Sequence, residues 1–141
     1  MGEPHRTVHR LRFNDTDRLG HVNNAVFAVM LEQGRSEMAV EAGLPIESSG
    51  AEGDTQALVI VRMELDFMRE MGWPGEVLVE TSVSRIGGRS LQVRQRLIHG
   101  SEECGRALTV LCVLDRATGK AAPITPAWRE ALARWHVPES G

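Results

Sequence analysis

The sequence predicts an α+β fold with one long helix, an antiparallel sheet of about five strands and a short C-terminal helix. The longest helical pattern starts at Asn23 or Asn24 and ends before Gly43, and is apolar in its first turns and polar later. Residues 57–115 contain four segments of alternating or continuous apolar character, separated by glycine-containing turns. One helix combined with consecutive strands favours a sheet that curls around the helix.

The composition indicates an acidic protein that forms one domain over residues 1–141. A net charge of −3 argues against a general nucleic-acid binder. Fifteen of the 16 basic residues are arginine, whose planar guanidinium suits phosphate groups, although a general compositional bias explains the same excess.

Cysteine usage and the first residues favour a cytoplasmic location. Cys104 and Cys112 have a spacing that matches no metal site, so we expect two free thiols in or near a strand. The first residues lack the apolar core of a secretory signal, and no stretch approaches the roughly 18 apolar residues of a membrane span. We expect no membrane partner and no metal.

The N-terminal part predicts a strand over residues 5–14 and then the long helix. Asn23 and Asn24 provide side chains that can cap a helix, and Gly43 provides a left-handed stop. The first turns, Ala25 to Leu31, are apolar nearly all round. We therefore expect a buried helix, roughly 27 Å long at 1.5 Å per residue.

The segment after the helix predicts a loop and then four strands. The loop, residues 47–56, is polar and acidic, and is expected either to help gate a pocket or to be disordered. The strands are expected at residues 57–68, 77–84, 90–99 and 106–115, with the last one central and covered on both faces. Gly87 and Gly88 predict a two-residue hairpin between the second and third strands.

The C-terminal segment predicts a short helix. Thr125 is the expected N-cap and Pro126 the first helical residue. Trp128, Leu132 and Trp135 then fall on one face, which should dock the tail onto the core.

One motif gives the chain a family resemblance. The pattern D-x-D-x-x-G-H-V-N-N-A occupies residues 15–25 and is followed by the aromatic Phe27, then Glu32 and Arg35. With the order of elements, it resembles the hotdog-fold acyl-CoA thioesterases of the 4-hydroxybenzoyl-CoA thioesterase superfamily. The resemblance implies a hotdog fold, an acyl-CoA substrate with an acyl-carrier-protein thioester as the alternative, and no cofactor. It also implies a homodimer paired through sheet edges, or a dimer of two such dimers.

The chemistry of a thioester fits this motif. The leaving thiol has a pKa of about 8.5 and can depart as a thiolate, so no catalytic triad is needed. The resemblance assigns Asp17 as nucleophile or general base, and the N–H of Asn24 at the helix start as oxyanion donor. His21 is a further catalytic candidate with an equally good structural interpretation, whereas Asp15 is interpreted as a turn residue.

The resemblance also implies substrate-binding residues. Gly20 and Asn23 flank the catalytic positions, and Arg89 and Ser90 match a segment that contacts the CoA tail in relatives. The glycines at 87–88 replace a basic cluster that would strengthen phosphate binding. Phe27 replaces the tyrosine that is common after the asparagines, so no phenol is available there.

Three alternatives stay open at this stage. A hotdog hydratase or dehydratase would need an Asp/His pair at the acyl α and β carbons, and a catalytically silent domain would only bind acyl-CoA. Glu64 or Asp66 would replace Asp17 if the catalytic acid lies on the opposite side of the pocket. Glu32 and Arg35 are expected to form an internal salt bridge rather than to catalyse.

Overall fold

The computed structural model describes residues 2–44 and 56–139. These residues form six strands and two α-helices, which confirms the predicted α+β class. The elements are β1 (His5–Arg10), α1 (Asn24–Glu41), β2 (Gln56–Phe67), β3 (Glu76–Ile86), β4 (Ser90–His99), β5 (Glu102–Asp115), β6 (Lys120–Ala121) and α2 (Pro126–Ala133). The strands make one antiparallel sheet in the order β1-β3-β4-β5-β2, with β6 added to β5.

Helix α1 begins and ends where the sequence predicts. The Asn23 side chain accepts a hydrogen bond from the N–H of Ala25, and Gly43 has a φ of +75° just after the last turn. The expectation of burial all round was wrong, because Val29 and Val40 are 55% and 57% exposed. The helix buries one side only, so its apolar first turns leave part of their surface uncovered in a single chain.

Two apolar clusters fix α1 on the sheet. Helix α1 packs mainly on β1, β3 and β4. The first cluster joins the N-terminal half of α1 to the sheet, and the second joins its C-terminal half to α2. The second cluster confirms the predicted docking of the tail, with Leu132 and Trp135 buried and Trp128 packed against them. Thr125 caps α2 by accepting from the N–H of Trp128, as expected.

Strand boundaries were predicted unevenly. Strand β4 matches its prediction, whereas β1 ends at Arg10 because a 3-10 turn occupies Phe13–Asp15. Strand β5 begins at Glu102, four residues early, and β6 was missed because it is two residues long. Cys104 and Cys112 are free thiols on β5, as predicted. The outer face of β5 is only half-buried, so the prediction of cover on both faces was too strong.

The hairpin between β3 and β4 is present with a shifted tip. The N–H of Gly87 donates to the carbonyl of Ser90 at 2.8 Å, which closes a turn whose tip is Gly88 and Arg89. The tip therefore contains one of the two predicted glycines rather than both.

Strand β2 is one of the two edge strands of the sheet that the described residues form, and β1 is the other. A bulge places Val61 between the pairs Ile60–Leu111 and Arg62–Val110 without a partner of its own, which breaks the predicted alternation. Val61 is 58% exposed. Most of the predicted loop, residues 47–55, lies outside the described residues, while Gln56 is the first residue of β2.

A buried polar contact, absent from the sequence prediction, ties α1 to the sheet. Gln95 on β4 donates through Nε2 to the carbonyl of Leu31 at 2.9 Å and to Thr81 Oγ1 at 3.0 Å. Gly34 lies at the same level, where a Cβ would stand 2.6 Å from a methyl of Val79. Among the described residues, neither helix is both long and apolar enough to cross a membrane.

Candidate active site

The loop before α1 is built around Asp15. This carboxylate is buried and accepts from the N–H of Arg12 at 2.8 Å. The Arg12 guanidinium lies 3.2 Å from its Oδ1, and His9 Nε2 lies 3.3 Å from its Oδ2. Burial alone would raise the pKa of Asp15, but these bonds outweigh it and hold the pKa below its usual value. The Asp15 carbonyl also accepts from the N–H of Asn23. Asp15 therefore has the structural role expected of it.

Asp17 lies at the turn of this loop with its carboxylate exposed. Its Oδ1 accepts from the N–H groups of Leu19 and His21 at 2.9 and 3.1 Å. The turn also needs Gly20, whose φ is +83° and whose N–H donates to the Asp17 carbonyl. Oδ2 has no hydrogen-bond donor among residues 2–44 and 56–139. One oxygen is thus held by the backbone and the other is free to meet a ligand.

The N-terminus of α1 lies beside this carboxylate. Asn23 and Asp17 line the same open surface depression, together with Phe13, Asn14, Thr16, Arg18 and Leu19. The N–H of Ala25 is already taken by the Asn23 side chain. The N–H of Asn24, the first helical residue, has no hydrogen-bond acceptor in the described part of the chain. A helix start has unpaired N–H groups and a partial positive charge, so this N–H can stabilise developing negative charge.

His21 is fixed by its backbone and by its ring. The residue pairs with Gly72 in an isolated bridge, and the next residue, Val22, donates to the carbonyl of Met71. His21 Nε2 stands 3.1 Å from a carboxylate oxygen of Glu70, with both side chains partly exposed. Glu70 was missed by sequence reasoning, because nothing local marks it as a partner of the motif.

An exposed aromatic pair borders the same depression. Phe13 and Trp73 pack edge to face with ring centroids 5.5 Å apart, and are 72% and 47% exposed. This pair was also missed. The only signal was an aromatic residue inside an otherwise polar loop.

Arg89 and Ser90 lie at the other end of the sheet. They follow the last residue of β3, whereas the Asp17 loop borders its first residue, which pairs with Arg10. At about 3.3 Å per residue, the two ends of β3 are roughly 30 Å apart. One chain therefore does not bring these predicted CoA contacts next to Asp17.

The remaining candidates occupy separate positions. Glu64 lies on edge strand β2 beside Arg62, and Asp66 is on the same strand near Arg106. The predicted Glu32–Arg35 salt bridge was wrong, since their charged atoms do not come within 4.0 Å and Arg35 donates instead to Gln95 Oε1 at 3.2 Å. No group of three or more His, Cys, Asp or Glu side chains in the described ranges is arranged to hold a metal ion.

The comparisons with known proteins identify the family. Residues 11–132, which include the loop, α1 and all of the main sheet except β1, match the model of the thioesterase-like superfamily. The chain belongs to the thioesterase-like superfamily. The predicted family and the predicted class of enzyme, a thioester hydrolase, are thereby confirmed at the level of the superfamily.

Several known proteins are similar over nearly the whole chain. A thioesterase from Thermus thermophilus, solved with coenzyme A and zinc, is 33% identical, with a TM-score of 0.78 and coverage of 93% of this chain and 98% of that one. A predicted thioesterase from Bacillus stearothermophilus is 28% identical, with a TM-score of 0.85 and coverage of 97% and 99%. A 1,4-dihydroxy-2-naphthoyl-CoA hydrolase from Synechococcus elongatus is 24% identical over 89% of each chain. These likenesses confirm the predicted hotdog-type arrangement.

Proposed function

We propose that this protein hydrolyses an acyl-CoA thioester to the free carboxylic acid and CoA. The observation that carries the proposal is the position of the Asp17 carboxylate, which shares one open depression with the capped start of α1. The names of similar proteins support the substrate class, since one is a CoA hydrolase and another was solved with coenzyme A.

Asp17 supplies the reacting carboxylate. The two backbone bonds to Oδ1 orient the group and leave Oδ2 available, either to attack the carbonyl or to take a proton from water. The N–H of Asn24 polarises the carbonyl oxygen from the other side. His21, held by Glu70, lies next to this pair and is proposed to contact the thioester or its leaving group. Gly20 and Asn23 shape the depression.

Dimerisation through β2 would complete the site. Among the described residues no strand pairs with the outer side of β2, where Ile60 and Val61 are exposed, and such edges are normally covered. Two antiparallel β2 strands run in opposite directions, so a second chain would bring its own β3–β4 hairpin to the Asp17 end. This pairing would place a second copy of Arg89 and Ser90 on the side from which the CoA tail approaches. A dimer of dimers would use other surfaces.

The test is thiol release from short, long and aromatic acyl-CoA esters by wild type and Asp17→Ala. We expect turnover by wild type and a loss of about a hundredfold or more in the variant. Asp115→Ala is the matched control, because Asp115 Oδ1 likewise accepts from the N–H of the residue two positions later, Ala117, at 2.9 Å. That variant should keep the wild-type rate.

The other outcomes separate the remaining hypotheses. Retained turnover in Asp17→Ala would move the catalytic role to His21, Glu64 or Asp66. A wild type that binds acyl-CoA without releasing thiol would be a binding domain. Addition or removal of water at the acyl chain would identify a hydratase or dehydratase.

A further inference from the structure

Arg35 is a half-buried cation with no direct counter-ion in the part of the chain that the structure describes. Its guanidinium donates through Nη1 to the neutral Gln95 Oε1, and no carboxylate oxygen of the described residues lies within 4.0 Å. Burial lowers the pKa of Arg35, and the more distant charge of Glu32 only partly opposes this. A guanidinium has five N–H donors, and among the described residues only Gln95 accepts from them. An anion that joined this partly desolvated charge would form a charge-assisted pair with the remaining donors.

The sheet fixes the direction in which Arg35 points. Glu37 accepts from Thr7 on β1 and so marks one flank of α1. Arg35, two residues earlier, is about 200° away around the helix and contacts Gln95 on β4. It therefore faces the half of the sheet formed by β5 and β2, which α1 covers least.

The inner face of β5 and β2 at this level is apolar with one polar exception. Gln95 pairs with Ala107, which pairs with Leu65, so these residues share the face toward α1. Thr109 is the next residue on that face, is fully buried, and its Oγ1 has no hydrogen-bond partner among the described residues. Buried hydroxyls are normally paired, so Thr109 is a second polar group on this face that could accept or donate a further hydrogen bond.

A small residue, Ala28, lies between the start of α1 and Arg35 on the same flank of the helix. It is seven residues before Arg35, two turns nearer the helix N-terminus. Eleven residues separate Asn24 from Arg35, or roughly 16 Å along the axis, and side chains tilt back toward the helix start. Gln95 bonds both Arg35 and the carbonyl of Leu31, which lies seven residues, or roughly 10 Å along the axis, from Asn24. The guanidinium is therefore at least that far from the proposed oxyanion donor. An extended chain of about six to eight carbons, with a hydrogen bond at each end, spans a distance of this order.

We propose that Arg35 binds a carboxylate at the far end of the acyl group, so that the preferred substrate is the CoA monothioester of a dicarboxylic acid. The inference rests on the proposed function and extends it to a substrate class. Gln95 positions the guanidinium, because its Nε2 is committed to Leu31 and Thr81 and its Oε1 must then face Arg35. The carboxylate would form a charge-assisted pair with the free N–H groups.

The test compares CoA esters of equal chain length that end in a carboxylate or in a methyl group, from four to eight carbons. Wild type should favour the carboxylate in kcat/KM by about tenfold or more, since a site with buried donors rejects analogues that leave them unpaired. Arg35→Gln should abolish this preference and change hydrolysis of the methyl-ended esters by less than about threefold. Arg35→Lys should keep part of the preference, because the charge remains.

A matched control is Arg6→Gln, which removes an exposed arginine that already contacts Glu80 at 3.0 Å. Its preference should equal that of wild type. An equal fall for both ester types in Arg35→Gln, or no preference in wild type, would overturn the inference while leaving the proposed hydrolysis intact. Conversion of Arg35→Gln to monomers in size-exclusion chromatography would show that a second copy of the chain supplies the anion, which also overturns it.

A binding measurement separates the inference from the proposed function. If wild type released thiol from no ester, thermal stabilisation by the free dicarboxylic acids would decide. Stabilisation by suberate that is lost in Arg35→Gln but kept in Arg6→Gln would support the Arg35 site. No stabilisation, or the same stabilisation in every variant, would reject it.

Discussion

Asp17 and His21 close a loop through two backbone contacts. The N–H of Asp17 donates to the carbonyl of His21 at 2.7 Å, and the N–H of His21 donates to Asp17 Oδ1 at 3.1 Å. The carboxylate is therefore oriented by main-chain atoms, and its position depends on the turn between the two residues. Substitutions that strain this turn should affect catalysis beyond their effect on folding.

Gly20→Ala should lower kcat as well as stability. Gly20 has a φ of +83° and no atom within 4 Å of the added Cβ, so the cost is left-handed backbone strain of about 1–2 kcal/mol. Gly43→Ala is the matched control, with a φ of +75° and equally open space, far from Asp17. Urea unfolding should show similar losses for both variants. A similar fall of kcat in both would mean that the Gly20 turn does not position Asp17.

Asn23→Ala should separate capping from substrate binding. Without the hydrogen bond that the N–H of Ala25 donates to Asn23 Oδ1, the free energy of unfolding should fall by about 1 kcal/mol. Thr125→Ala, at the start of α2, should lower it by a similar amount. Only Asn23→Ala should also lower kcat/KM, because it loosens the helix start at the proposed oxyanion donor. Equal activity in the two variants at equal stability would confine Asn23 to a capping role.

Local chemistry explains which parts of the fold were predictable. Asn23, Gly43 and Thr125 act on N–H groups or dihedral angles within a few residues, so the ends of α1 and the start of α2 follow from the sequence. Strand β4 was predicted in full, because its buried Leu91 and Val93 alternate with less buried residues. These signals need no knowledge of the partner strand.

Features that depend on distant partners escaped prediction. The bulge at Val61 exists only in the pairing of β2 with β5, and the burial of Gln95 only in its bonds to α1 and β3. The contact of His21 with Glu70 also joins segments far apart in sequence. For the candidate site, Asp17 was found through its motif, whereas the distance between Asp17 and Arg89 follows from the sheet topology alone.

Asp15 should make stability depend on pH in the acid range. Its pKa in the folded protein is held below the usual 3.8, so it stabilises the fold above the unfolded-state pKa. That contribution is lost as the pH falls through the folded-state pKa. We expect Asp15→Asn to be less stable than wild type at pH 7, and the two urea midpoints to converge below about pH 4. A difference that persists or grows at lower pH would show that the carboxylate charge is not the cause.

Gly34→Ala should destabilise the protein even though alanine is the better helix former. An exposed Gly→Ala change inside a helix gains about 1 kcal/mol. At Gly34 the new Cβ would stand 2.6 Å from Val79 Cγ1 and 3.0 Å from Thr81 Oγ1, so α1 must move away from β3. Overpacking of this kind costs about 1–3 kcal/mol, which should exceed the gain in helix propensity.

The paired variant Gly34→Ala/Val79→Ala provides the control for this prediction. Removing the Val79 methyls relieves the closest contact, so the double variant should be more stable than the sum of the two single changes predicts. Urea unfolding of the four proteins gives this coupling. Rates of thiol release by the same four proteins test whether the packing of α1 on β3 also positions the start of the helix. If Gly34→Ala alone proved as stable as wild type, the close approach of α1 to Val79 would not limit the packing.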